Sequence, residues 1–225
     1  MTRDYTIVKA PQDDAAVREI CAFLQAEPSD FLRRLSEDDV RELTRQGRFY
    51  LARSNGDGAL AGTIYVRSET PAHWEIGGAA VAAAHRASGL ARALMVVAIV
   101  HPYLQERASS ERVGRHHIEA LVRPDNERMK RLVAQPEFCP LPERRLDPQP
   151  VRGIAHFPRD AAGLAPVLAY VFDEKYAPKY LRQALALRDA GRLDGVKKTV
   201  AIDVAGLRCE DGRDPLRELL EELGA

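Results

Sequence analysis

The residues best suited to chemistry lie in one stretch, from Glu75 to Arg92. A short apolar run at residues 76–81 is followed by small residues, and Arg86-Ala87-Ser88-Gly89-Leu90-Ala91 then opens an apolar helical segment. A strand that enters a helix through small residues leaves the first backbone N–H groups of that helix unpaired. Those donors and the positive end of the helix dipole favour phosphate or pyrophosphate. The stretch therefore predicts an anion site, where Gly89 lets the ligand approach the backbone closely.

The elements that must position this stretch can be read from the surrounding periodicity. Residues 5–9 predict a strand, and two amphipathic helices follow, the second of which begins at Ser36. The Asn-Gly and Asp-Gly steps of residues 55–58 predict a hairpin turn. After the central strand, an apolar helix is expected to kink or end near His101, because Pro102 lacks an N–H. Residues 116–122 predict the next strand, and a helix begins at residues 124–126 with Asp125 as a plausible N-cap.

Two motifs in this order resemble a known family. The pattern Arg86-x-x-Gly89-x-Ala91 resembles the acyl-CoA loop of the GCN5-related N-acetyltransferases (the GNAT family), which reads Gln/Arg-x-x-Gly-x-Gly/Ala. In the second motif of the family, an Asn opens a helix that ends before a Gly/Glu-Phe step. Asn126 and Glu137-Phe138 match it here. The resemblance implies an α/β fold (α+β mixed sheet), with a GNAT-like central mixed sheet flanked by helices and an α/β C-terminal extension.

The resemblance also implies roles for particular residues. It implies acetyl-CoA as cosubstrate, held by Val81, Arg86, Ala87, Ser88, Gly89, Leu90, Ala91, Arg92 and Asn126. Glu75 lies eleven residues before Arg86, the spacing at which histone-type members carry their general base. A solvated charge at a strand end remains the alternative for Glu75. The family often has a general-acid Tyr where this chain has Val133. Either another group protonates the leaving thiolate, or the site is weak or inactive.

Composition restricts the classes of partner. Lys plus Arg and Asp plus Glu are both 33, so the net charge is zero and nothing favours a nucleic-acid partner. The longest apolar run is far shorter than a membrane span. The three cysteines are an odd number at unrelated spacings, which predicts no disulfide framework and fits a cytoplasmic protein.

No metal is expected from the sequence. The cysteines show no zinc pattern, and His116 and His117 are the only pair that looks metal-like. Adjacent residues of a strand point to opposite faces, so one of these histidines should face inward and the other outward. No Asp, Glu or His partner at ligand spacing accompanies the pair.

A proline-rich stretch at residues 141–150 is the predicted domain boundary within the chain. It divides the chain into a GNAT-like domain at residues 1–145 and a C-terminal extension at residues 146–225. Within the extension we expect the following elements: strands at residues 151–157 and 199–204, helices at 161–172 and 178–190, the latter stopped by Gly191, and a helix that opens at Asp214-Pro215. The apolar stripes of these helices must be buried on the core domain or in a possible homodimer.

The sequence thus predicts an acyltransferase, namely an acetyl-CoA-dependent N-acetyltransferase. It would transfer acetyl directly to an amine of a small-molecule or peptide acceptor. Two alternatives stay open. One is a CoA-binding protein without catalysis, and the other is an acyltransferase that uses another acyl-CoA or a hydroxyl acceptor.

Overall fold

A mixed β-sheet with helices on both faces forms the fold. The computed structural model describes residues 4–26, 34–108, 115–146, 157–194, 196–204, 207 and 213–224. Its elements are β1 (Tyr5–Lys9), α1 (Asp14–Ala26), α2 (Glu37–Arg45), β2 (Phe49–Ser54), β3 (Leu60–Thr70), β4 (His73–Val81), α3 (Leu90–Ala108), β5 (His117–Val122), α4 (Glu127–Val133), β6 (Phe138–Pro140), β7 (Arg144–Leu146), β8 (Ala165–Phe172), α5 (Ala177–Ala190), β9 (Val200–Asp203) and α6 (Pro215–Glu222). The expected strand at residues 151–157 lies outside the described residues except at its end.

The strands follow the order β6-β8-β5-β4-β3-β2-β1-β9, and β7 pairs with β8 on the same side as β6. Two neighbouring pairs, β4 with β5 and β1 with β9, are parallel. The other pairs are antiparallel. The predicted mixed sheet is therefore confirmed.

Different helices cover the two faces of the sheet. Successive residues of a strand point to opposite faces. Phe49 and Leu51 therefore pack with α1 and α2, while Tyr50 between them packs with α3. Ser36 caps α2 as predicted, because its hydroxyl accepts from the Asp39 N–H and the Asp39 carboxylate accepts from the Ser36 N–H.

Helix α3 is longer than the sequence predicts. It runs through Pro102 to Ala108, so the expectation that Pro102 could end the helix is wrong. Pro102 removes one intrahelical hydrogen bond, but the residues from Ala93 to Tyr103 are all buried. Burial of this apolar surface offsets the lost bond. Among the described residues, no helix combines the length and apolarity that a bilayer span requires.

The helix expected at residues 161–172 is also wrong, because residues 165–172 form strand β8. The run is apolar throughout and lies between Gly163 and Asp173, so it shows no helical stripe. In the sheet, β8 pairs with β5 on one side and with β6 and β7 on the other. Its residues are buried or half-buried on both faces, and a strand covered on both faces is typically a continuous apolar run.

The remaining C-terminal elements agree with their predictions. Helix α5 ends at Gly191 in the left-handed conformation, β9 pairs with β1, and Asp214 caps α6. Both helices pack into the core that α3 occupies. The division at residues 145/146 and the homodimer stay predictions, and strand β8, which follows that division, lies within the same sheet as β1–β5.

Candidate functional site

An opening between two parallel strands forms the centre of the candidate site. The pairing of β4 with β5 ends at Ile76 and Ala120. Beyond that point β4 stays paired with β3 as far as Val81, and β5 stays paired with β8. Each strand thus keeps its outer neighbour and loses its inner one. The backbone edges that face the opening can pair with an extended ligand, as a sheet edge does with an added strand.

A bulge at Gly78 accompanies this opening. The register between β3 and β4 shifts between Thr63 and Tyr65, and Gly78 has φ +61°. The Thr63 hydroxyl donates to the Gly78 carbonyl at 3.1 Å, which holds the bulge in place. A left-handed residue in a bulge bends its strand, and glycine adopts that conformation without a steric penalty.

The predicted anion loop follows β4 directly. A single 3₁₀ turn (Ala83–His85) leads into residues 86–89, and α3 begins at Leu90. The Ser88 hydroxyl donates to the His85 carbonyl at 2.6 Å and accepts from the Leu90 N–H at 3.3 Å. The Leu90 side chain is buried in the core, so the helix start is anchored at both residues.

Two left-handed residues shape the loop. Ala87 has φ +60° and Gly89 has φ +89°, and Ala87 is the only described non-glycine residue with a positive φ. Such a conformation is costly for a side chain that carries a Cβ, and it concentrates at ligand sites. The N–H groups of Ala87, Ser88 and Gly89 donate to no acceptor among the described residues. They form a cluster of free donors at a helix start, which is an anion-binding arrangement.

The charged side chains of the loop remain at the surface. Arg86 and Arg92 are both exposed, and the Arg86 Nε donates to the Val81 carbonyl at 3.2 Å. Arg86 precedes the residues with free N–H groups in sequence, and Arg92 follows them in the first turn of α3. Ala91, in the first turn of α3, is half-buried.

Asn126 lies at the same edge of the sheet but has a local partner. Its Oδ1 accepts from the Met129 N–H at 3.1 Å, so Asn126, and not Asp125, caps α4. Asp125 instead pairs with Arg123. Because β4 and β5 are parallel, the loop after β4 and the start of α4 after β5 both lie at the carboxyl ends of these strands. The strand order thus brings Asn126 to the same end of the sheet as the predicted loop. Contact of Asn126 with a ligand stays a prediction.

Glu75 lies on β4, one residue before the strands separate. It is half-buried and faces Arg67 of β3 and Glu119 of β5 in the strand register. Its side chain is on the face opposite Trp74 and Ile76, which pack into the core with α3. Val133, at the position of the family's acidic Tyr, is completely buried and carries no proton to donate.

A cluster of charged side chains around Glu119 is not predicted from the sequence. The carboxylate of Glu119 contacts the Nε2 atoms of His73 at 3.3 Å and His117 at 3.4 Å, and Arg144 Nη1 at 3.0 Å. The inward and outward division of the histidine pair is confirmed, since His116 is buried against Glu106 and His117 is exposed. His117 nevertheless has partners, because the strand register places it beside His73. The repeated His-x-Glu pattern at the start of β4 and of β5 is the signal that could have revealed them.

Comparisons with known proteins agree with this architecture. A sequence model described as the Acetyltransferase (GNAT) family matches residues 16–135, more than half of the chain. No curated protein matches the chain in a sequence comparison.

Solved structures share the fold at low identity. Ard1 from Thermoplasma volcanium is 16% identical, with a TM-score of 0.54 over 76% of this chain and 99% of its own. The NatC complex bound to Gag peptide and CoA is 16% identical, with a TM-score of 0.55 over 75% of this chain and 98% of the matched chain. Rv2747 from Mycobacterium tuberculosis in complex with CoA is 15% identical, with a TM-score of 0.50 over 74% and 98%.

The mixed sheet, the separated parallel strands and the loop at the start of α3 define an acetyltransferase-type fold. The chain belongs to the GNAT family of acetyltransferases. Membership of this family indicates acyltransferase activity.

Proposed function

We propose that the protein transfers the acetyl group of acetyl-CoA to an amine of a small-molecule or peptide acceptor. The observation that carries the proposal is the opening between β4 and β5, with free N–H donors at one end and Glu75 beside its start. These features lie on one strand and its loop. A single extended thioester could therefore contact all of them.

The loop would hold the phosphates of the cosubstrate. The N–H groups of Ala87, Ser88 and Gly89 supply donors without a charge that must be desolvated, and Arg86 and Arg92 supply positive charge at the rim. The backbone of β4 as far as Val81 would pair with the pantetheine arm. Because the donors are already oriented, binding requires little reorganisation of the protein.

Glu75 is our candidate for the general base. An amine is mostly protonated near neutral pH and must lose a proton before it attacks the thioester, which a positioned carboxylate can accept directly or through one water. The attack then forms the carbon–nitrogen bond and breaks the carbon–sulfur bond. The nitrogen loses its second proton to give the neutral amide, and the departing CoA thiolate takes up a proton from solvent. Glu75 lies on the face opposite α3 and is half-buried, so its side chain is partly open to solvent.

Two of the similar structures support this ligand class. Rv2747 from Mycobacterium tuberculosis was solved with CoA, and the NatC complex was solved with a peptide and CoA.

A second candidate is a CoA-binding protein without catalysis. Burial of Val133 at the family's Tyr position favours it, because the proton donor of the family is absent there. Both candidates require CoA binding, and only the first requires transfer.

The test is incubation with acetyl-CoA and a panel of small amines, alcohols and peptides, with detection of an acetyl mass gain and of free CoA. Glu75→Gln keeps the size of the side chain and removes the proton acceptor, so turnover should fall roughly 10²–10⁴-fold. CoA affinity should change little. Glu221→Gln, at an exposed position of α6, makes the same chemical change far from β4 and should leave turnover unaltered.

Acetylation of no member of the panel, together with measurable CoA binding, would favour the second candidate. Near wild-type turnover of Glu75→Gln would show that Glu75 is not the base. Acetylation of alcohols and not of amines would show that the acceptor group is a hydroxyl.

A further inference from the structure

Two neighbouring strands present matching pairs of side chains on one face of the sheet. His73 and Glu75 on β4 are in direct register with His117 and Glu119 on β5. Because the strands are parallel, both His-x-Glu pairs point to the face that α3 does not cover. The histidine rings meet edge to face at 4.7 Å between centroids.

Three of these side chains converge on one point. His73, His117 and Glu119 each offer one nitrogen or oxygen atom, and these atoms lie within 4.8 Å of one another. The Nε2 atoms of His73 and His117 lie 3.3 and 3.4 Å from the Glu119 carboxylate oxygens. Both distances exceed the roughly 2.7–3.2 Å that is usual for an N–H···O hydrogen bond.

Ligands about 2.0–2.1 Å from a zinc ion in tetrahedral geometry are separated from one another by roughly 3.3–3.4 Å. His73 Nε2 has that separation from Oε1 of Glu119, and His117 Nε2 has it from Oε2. The three ligand atoms lie within 4.8 Å of one another, so small side-chain rotations would bring one oxygen and both nitrogens onto one ion. Two imidazole nitrogens and one carboxylate oxygen are also a donor set typical of zinc sites that keep a fourth position open.

The surroundings suit a bound cation. Glu119 is 6% exposed, whereas His73 and His117 are 33% and 43% exposed, so an ion can enter from solvent and reach a buried carboxylate. Arg144 of β7 lies 3.0 Å from Glu119 Oε2 and would orient that carboxylate as an outer partner. Glu119 is thus held in place by a residue that is not itself a metal ligand.

We propose that His73, His117 and Glu119 form a zinc site on the face of the sheet that α3 does not cover. The ion would link β4 to β5 just before these strands separate, and its fourth position would face solvent. This proposal does not rest on CoA binding or acetyl transfer. The site uses neither the anion loop nor the opening between the strands.

The test uses the full-length chain without a histidine tag, stripped of metal with a chelator that is then removed. Calorimetric titration with zinc chloride should show one zinc ion per chain. Loss of an outer partner typically weakens metal binding by about 10–100-fold. His117→Asn, which removes a direct ligand, should weaken zinc binding by at least about 100-fold. Glu119→Gln should weaken it similarly while keeping the size of the buried side chain.

The matched control is His85→Asn, which removes a half-buried histidine outside the cluster. The Nδ1 atom of His85 contacts the Tyr5 hydroxyl, and His85 is not one of the three proposed ligands. Its loss should therefore leave the zinc affinity unchanged. Thermal melting of each variant shows whether it is folded, and cobalt substitution gives a second measurement. Intense visible d–d bands that disappear in His117→Asn would support a tetrahedral site at this histidine.

Three results would overturn the proposal: absence of zinc binding by the wild-type chain, equal affinity in folded His117→Asn and Glu119→Gln, or equal loss in His85→Asn. Because all readouts are made without CoA, each of these results leaves the acetyl-transfer proposal unaffected.

Discussion

The anion loop makes a quantitative prediction at Gly89. A Cβ built on this residue would lie 2.7 and 2.8 Å from the two methyl carbons of Val196, and its φ of +89° is unfavourable for any residue with a Cβ. Gly89→Ala therefore combines two costs. Left-handed backbone costs roughly 1–2 kcal/mol, and forcing a methyl group into filled space costs about 1–3 kcal/mol.

These two costs can be separated with variants that the chain offers. Gly163 has φ +78° and nothing within 4 Å of a built Cβ, so Gly163→Ala reports the backbone cost alone. Val196→Ala removes the two methyl groups that a Cβ at residue 89 would meet and keeps only the Val196 Cβ, at 2.9 Å. The double variant Gly89→Ala/Val196→Ala should therefore recover part of the steric cost of about 1–3 kcal/mol relative to the sum of the single variants.

The assay is chemical denaturation of the four chains of this cycle, with Gly163→Ala as control, together with calorimetric titration of CoA. CoA affinity should fall in Gly89→Ala and recover partly in the double variant, because the displaced loop N–H groups return. Additive destabilisation of Gly89→Ala and Val196→Ala would refute the steric contact. A stability of Gly89→Ala equal to that of Gly163→Ala would refute it too.

Two further predictions concern stability. Arg188 holds the pKa of Asp214 at about 2, through two hydrogen bonds of 2.8 Å, against a usual value of 3.8. A group whose pKa is lowered in the folded state stabilises the protein at pH values above its unfolded-state pKa. This contribution, about 1–2 kcal/mol, should therefore be lost as pH falls from about 4 to about 2. The unfolding free energy of Asp214→Asn should lack this pH dependence, and an unchanged dependence would contradict the assignment. Separately, a Cβ at Gly77 would lie 2.3 Å from the Tyr65 hydroxyl oxygen, whereas one at Gly56 would meet only Ser54 at 3.8 Å. Gly77→Ala should therefore cost about 1–3 kcal/mol in urea unfolding and Gly56→Ala much less; equal losses would show that the space at Gly77 is not filled.

Much of the fold could be predicted because its signals are local. The hairpin turn, the Ser36 and Asp214 caps and the Gly191 stop each depend on residue types within a few positions. The strand β8 could not be predicted in the same way. Its continuous apolar run fits a buried helix or a buried strand, and only the partners β5, β6 and β7 decide between them.

The residues of the candidate sites also differ in how far they could be predicted from local sequence. The loop of residues 86–92 is contiguous in sequence, so a motif was enough to locate it between β4 and α3. The cluster of His73, His117 and Glu119 depends on the register between two strands that are 44 residues apart at its histidines. Register is set by the packing of the whole sheet and is not visible in either strand alone.

The central claim is that the loop after β4 binds CoA, and charge reversal at its rim tests it most directly. Arg92→Glu places a carboxylate near the proposed phosphate site, and Arg18→Glu makes the same change at an exposed position of α1, on the other face of the sheet. In calorimetric titration with CoA, we expect the wild-type chain and Arg18→Glu to bind equally. Arg92→Glu loses an attraction of about 0.5–1 kcal/mol to the phosphates and gains a repulsion of similar size. Its affinity for CoA should therefore be about 10-fold weaker than that of the wild-type chain. Absence of CoA binding by the wild-type chain, or equal affinities of the two variants, would contradict the account.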